Sequence, residues 1–209
     1  MFRFENISKK FSAQFVLQNF STEILECDKV LISGPSGIGK TTLFRMLLGF
    51  ENPDMGSIYF ENRCLDDLQV WELRRRVAYV SQDLNIGTGS VNAFFEETMS
   101  LKANILHRIN FDTDLTNYLD YFELPQSILS KNIEDLSGGE KQRVAIINAL
   151  LLKRKIFFLD EITSALDAKL KAKTLDYFFE NPEFTILSIS HDNYVPQSIQ
   201  VKTIKLDNI

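Results

Sequence analysis

Stretches of apolar residues bounded by turn-forming ones mark out the elements of this chain. Residues 2–6 and 16–24 are strand-like, and 29–33 is an apolar run of the kind found in a strand buried on both faces. A helix is predicted over 41–48, then short strands at 57–60 and 77–80, so the first 80 residues read as strands around one helix. From 83 to 135 the texture changes. Segments 92–102 and 115–122 predict helices, separated by polar stretches and closed by Pro125. This region reads as a small helical lobe set into a core made of 1–82 and 136–209. Residues 139–152 predict a strong helix, apolar nearly all round toward its end and therefore buried. Lys153, Arg154 and Lys155 follow it, where cations suit the negative end of the helix dipole. A strand at 156–159, a helix at 168–179 and strands at 184–190 and 202–206 complete the chain. Strands alternating with helices predict an α/β fold with a mainly parallel sheet covered on both faces, whose ligands bind at the carboxyl ends of the strands.

Composition narrows the class. The 209 residues suffice for one sizeable core or two small lobes. A net charge of −5 argues against a nucleic-acid surface, and no nucleic-acid partner is expected. The longest near-continuous apolar stretch, 144–152, has nine residues and includes Asn148, well short of the about 20 that cross a bilayer. The first six residues carry no apolar signal run. Cys27 and Cys64 match no metal spacing or redox pair and read as reduced structural thiols of a cytosolic protein.

The chemistry begins at Gly34-Pro35-Ser36-Gly37-Ile38-Gly39-Lys40-Thr41, which fits G-x-x-x-x-G-K-[ST] between a buried strand and a helix. Its glycines let successive amides turn inward around phosphate oxygens, and the helix adds its positive end. Lys40 supplies a point charge for the β- and γ-phosphates, and the Thr41 hydroxyl is placed to ligate Mg²⁺. A second helix start, Leu136-Ser137-Gly138-Gly139-Glu140, combines a good N-cap with two glycines. Beside a phosphate loop it suggests a second anion contact, although an ordinary helix start reads as well.

Leu136-Ser137-Gly138-Gly139-Glu140, followed by Lys141-Gln142-Arg143, resembles the signature motif of ATP-binding cassette (ABC) ATPases. The resemblance spans nearly the whole chain, because the other motifs follow in family order. It implies ATP and Mg²⁺ as ligands, and a head-to-tail dimer with two ATP molecules between subunits, each signature (Ser137, Gly138, Gly139, Glu140) covering the nucleotide on the other subunit's phosphate loop, Thr42 included. The apolar run 156–159 ends in Asp160-Glu161. Asp160 resembles the Walker B aspartate that holds Mg²⁺ through water, and Glu161 the catalytic glutamate that orients the attacking water. Ile162 stands where the family usually has proline, which loosens the loop and removes no ligand. Ser164 to Asp167 resembles the D-loop at the dimer interface, with Asp167 also a good N-cap. His191 resembles the switch histidine on the γ-phosphate, and Gln82 the Q-loop glutamine that ligates Mg²⁺. Phe11 stands where the family carries an aromatic that stacks on adenine, so the resemblance implies that role for it, with Phe15 as its rival; stacking alone does not choose between purines. His107 has no partner that the sequence names and reads as surface.

The complete motif set implies hydrolysis as well as binding. A cassette with no spanning segment implies a separate membrane permease, contacted by the region after Gln82 and the rest of the helical lobe, and a peripheral place on the cytoplasmic face of the membrane. The segments Lys131-Asn132-Ile133-Glu134-Asp135 and Asp160-Glu161-Ile162-Thr163-Ser164 resemble bacterial iron-export cassettes. Two alternatives stand beside this: a soluble ABC ATPase acting on a protein or nucleic-acid assembly, and a P-loop kinase, which would leave the signature and His191 unexplained.

Overall fold

A computed structural model of the chain describes residues 1–12, 14–105, 109–190, 196 and 199–206. Two sheets and six α-helices organise it. The strands β1 (Phe2–Phe11), β2 (Gln14–Ile24), β4 (Met55–Phe60) and β5 (Arg63–Cys64) form an antiparallel sheet in the order β2-β1-β4-β5. A parallel sheet runs β6 (Val77–Val80), β7 (Ile156–Asp160), β8 (Thr185–Ile189), β3 (Lys29–Ser33), β9 (Lys202–Lys205). The chain adopts the expected α/β class with a parallel sheet, and its N-terminal strands form a separate antiparallel sheet.

Every residue of β7 and β8 is buried. Successive side chains of a strand leave on opposite faces, and β7 uses this to join two cores. Phe158 stacks on Phe44 of α1 (Lys40–Leu47), centroids 5.0 Å apart, in a cluster that holds Phe2 and Phe60. Its neighbour Phe157 meets Phe178 of α6 (Ala168–Phe179) in a second cluster. That second cluster is shared by α3 (Val91–Ser100), α4 (Phe111–Tyr121) and α5 (Gly138–Leu151), so the helical region builds its core against the sheet and α5.

The strand-rich first part holds two helices, where the pattern predicts one. The missed helix is α2 (Asp67–Arg76), capped by the Asp66 carboxylate on the Gln69 amide at 2.9 Å. It buries Val70 and Leu73 and ends in three arginines, so its apolar stripe is too thin to read as periodic. The three cations after α5 each find a specific partner. Lys153 pairs with Asp114 and Lys155 with Glu183. Arg154 leaves the helix end and donates to the carbonyls of Arg74 and Val77 and to Asn104 Oδ1. Arg154 thereby supplies donors to carbonyls where α2 ends and β6 begins, groups that the helix itself does not pair at its last turn. Both cysteines are free and exposed. Among the described residues no helix is long and apolar enough to cross a membrane.

Candidate functional site

The turn from β3 into α1 carries the glycine loop, at the carboxyl end of the parallel sheet. Gly39 has φ 104, and a Cβ on it would lie 2.9 Å from the Val16 carbonyl of β2, so only glycine fits. Around Gly37, φ 78, the space is open, as an approach by phosphate requires. Lys40 is buried and its Nζ lies 2.9 Å from the carbonyls of both Gly34 and Pro35, which draws the loop around its ammonium. A cleft of about 260 Å³ is lined by Ser36, Gly37, Gly39, Lys40, Thr41, Thr42, Gln82 and Glu161.

Two carboxylates follow one another at the end of β7: Glu161 lines this cleft, and Asp160 is buried against its Thr41. Asp160 is buried; its Oδ2 accepts from the Thr41 hydroxyl at 3.1 Å and from the Tyr79 hydroxyl at 3.4 Å. Its Oδ1 is buried and has no protein partner among the described residues. Burial pushes the Asp160 carboxyl above its ordinary range; the Thr41 hydrogen bond opposes the shift and the Glu161 charge adds to it. An orphaned carboxylate oxygen beside a threonine hydroxyl is a hard-oxygen donor set, which suits Mg²⁺, an ion usually held by one or two carboxylates plus substrate phosphates. The residues therefore fit the metal that the phosphate loop implies. Glu161 Oε2 accepts from Gln82 Nε2 at 2.7 Å, so the ends of β6 and β7 meet over the loop.

The structure thus gathers the phosphate loop, Gln82, Asp160 and Glu161 in one place. Ser137, Gly138, Gly139, Glu140, Asp167 and Phe11 do not line this cleft. Ser137 and Glu140 form a reciprocal capping box: the Ser137 hydroxyl accepts from the Glu140 amide at 3.2 Å, and the Glu140 carboxylate from the Ser137 amide at 2.9 Å. That bond and Lys131 hold the Glu140 carboxyl down at about 2. Asp167 caps α6 on the Leu170 amide at 2.9 Å. Phe11 is exposed at the end of β1, with Lys9 over its ring; Phe15 lies on β2 beneath Lys10. His191, expected on the γ-phosphate, and His107 lie outside the described residues.

Two site residues escape the sequence reading. Tyr79 touches Asp160, and its phenol is pushed up to about 12 by burial and by that carboxylate. Its place on β6, opposite Phe158 of β7, holds the only hint, and that needs strand pairing to be known. Gln142 is the other; a glutamine inside an otherwise aliphatic helix face is its signal.

A glycine loop between strand and helix, with a buried aspartate, a glutamate and a glutamine at the neighbouring strand ends, defines a P-loop nucleotide-binding protein. The family model described as ABC transporter matches residues 17–164. The chain belongs to that family, an α/β cassette class whose ligands are ATP and Mg²⁺. It is 33% identical over 207 residues to the spermidine/putrescine import ATP-binding protein PotA of Mesoplasma florum, covering 97% of this chain and 57% of that protein. It is 32% identical over 180 residues to the Probable iron export ATP-binding protein FetA of Escherichia coli, covering 85% of this chain and 78% of that protein. Several relatives are longer, and the chain spans little more than half of PotA. Among solved structures, a dimeric bacterial ABC transporter cassette superposes with a TM-score of 0.81 at 27% identity, covering 99% of this chain and 94% of that chain. A dimeric post-hydrolysis cassette bound to ADP and Pi gives 0.74 at 28%, covering 92% and 88%.

Proposed function

We propose that this chain is the ATP-hydrolysing subunit of an ABC transporter, dimerising head-to-tail on ATP to drive a separate membrane permease. The observation that carries the reading is the convergence of Lys40, Thr41, Gln82 and Glu161 around one cleft, with Asp160 hydrogen-bonded to Thr41. In it the loop amides and Lys40 hold the β- and γ-phosphates. Thr41, Asp160 and Gln82 are the residues that would hold the metal. Mg²⁺, when bound, supplies charge neutralisation at the phosphate oxygens. Glu161 orients the attacking water from the cleft wall and accepts hydrogen-bond character from it. Phosphoryl transfer asks for positioning and charge more than for a covalent group, and these residues provide both. His191 is assigned to the γ-phosphate and Phe11 to adenine.

Ser137 to Glu140 stand away from the cleft of their own chain, which supports their facing the nucleotide of a second copy, with Asp167 at the same interface. We divide the chain into a nucleotide-binding core, 1–82 and 136–209, and a helical subdomain, 83–135, that with the segment after Gln82 meets the permease at the cytoplasmic face of the membrane. For cargo we favour metal export: the 131–135 and 160–164 segments support it, and FetA is named for iron export.

Glu161→Gln keeps the shape and removes the carboxylate. Steady-state hydrolysis should fall by on the order of 100-fold or more, and light scattering should then show an ATP-bound dimer that persists. Undiminished turnover in this variant sinks the role given to Glu161.

A further inference from the structure

Gln142, in the second turn of α5, has no solvent exposure, yet it is polar in a helix that otherwise buries aliphatic side chains. A buried amide is retained where its hydrogen bonds are made. Both ends of this one are used. Its Nε2 donates to the Glu161 carbonyl at 3.3 Å, and its Oε1 accepts from the Ala165 amide at 3.0 Å. On its other side the Glu161 amide donates to the Ile189 carbonyl of β8 at 2.9 Å. Between these two clamps Glu161 holds φ 51, a left-handed conformation that a residue with a Cβ keeps only where its surroundings over-determine it. Freed from one clamp, Glu161 would relax toward negative φ and swing its carboxylate away from Gln82 and the cleft. The same stretch is pressed against the first turn of α5: a Cβ on Gly139 would lie 2.9 Å from the Ala165 carbonyl. Gly139 is thus glycine for close packing, a reason separate from any phosphate contact.

We propose that Gln142 is a positioning residue for hydrolysis. It locks the strained Glu161 backbone and fixes the 161–165 stretch to the helix that bears Ser137 to Glu140. This rests on the ATPase reading. It adds a strut inside one subunit, from the signature helix to the backbone of the glutamate that prepares the water. No covalent step passes through Gln142.

Two variants test it. Gln142→Leu removes both bonds at similar volume. Gln142→Glu keeps an acceptor for the Ala165 amide; it donates to the Glu161 carbonyl only when protonated, and burial raises the pKa of such a carboxyl. At pH 8 kcat should fall by on the order of 100-fold in both, the cost of a misplaced reacting group, with KM for ATP unchanged. As pH is lowered, Gln142→Glu should regain turnover relative to wild type, and Gln142→Leu should not. In nucleotide-free protein, hydrogen exchange at the Ala165 amide should stay slow in wild type and Gln142→Glu and become fast in Gln142→Leu. Binding of a non-hydrolysable ATP analogue identifies folded protein, and Gln142→Glu carries the test should Gln142→Leu not fold. Wild-type kcat in a folded variant, or equal pH profiles for the two, overturns the inference alone. Absence of hydrolysis in the wild-type chain overturns the ATPase reading instead.

Discussion

Glu140 shows how one side chain holds the start of a helix. Its carboxylate closes the capping box on the Ser137 amide and pairs with Lys131 at 3.0 Å. These partners hold its folded carboxyl at about 2, against 4.5 ordinarily. A depressed acid favours folding above its unfolded pKa, and that contribution is lost as pH falls through the folded value. The α5 cap should therefore weaken between about pH 4.5 and about pH 2 and be indifferent to pH above 5. An NMR titration of the Glu140 carboxyl checks this; a midpoint near 4.5 would refute it. Its partial exposure keeps the energetic effect small. At this scale the sequence is explicit: Ser137, Asp167, Lys40 and Thr41 sit in local patterns whose meaning needs few neighbours. The Gly139–Ala165 contact shows the remainder, because a glycine in a motif does not announce what its missing Cβ would have struck.

Elements are held by the strand that serves two cores. Phe158 has no exposure, stacks on Phe44 at 5.0 Å and lies 5.9 Å from Phe2. Phe158→Ala should cost about 3–5 kcal/mol, read as a shift in the denaturant midpoint. It should also lower nucleotide affinity, since α1 opens on the phosphate loop and rests on this ring. A loss below 1 kcal/mol, measured the same way, would show that the site collapses around the gap. Strands β3 and β7 were legible as apolar runs, β8 as a strand and α5 as a helix, because burial on both faces writes itself into consecutive residues. Helix α2 was not: its Asp66 cap is visible, but two buried positions in ten make no stripe.

For the whole molecule, charge and surface bear on partners. The chain carries a net charge of −5, and among the described residues no helix is long and apolar enough to cross a membrane. The cargo reading has a direct check. Cells lacking this chain should accumulate more iron than cells carrying it, and the Lys40→Ala form should not restore export. Equal metal content by elemental analysis in all three, with altered polyamine content, would move the cargo to another class.

The sequence by itself determined the phosphate loop, the carboxylate pair at the end of a buried strand and the caps of α5 and α6, since each is written in residues adjacent along the chain. Tertiary structure alone decided that Gln82 reaches Glu161, that Tyr79 and Thr41 share one oxygen of Asp160, and that Gln142 grips the Glu161 backbone. It also sent Arg154 to the carbonyls of Arg74 and Val77. These pairings join residues 19 to 119 positions apart. Their geometry follows from strand order and helix packing, which no local pattern encodes.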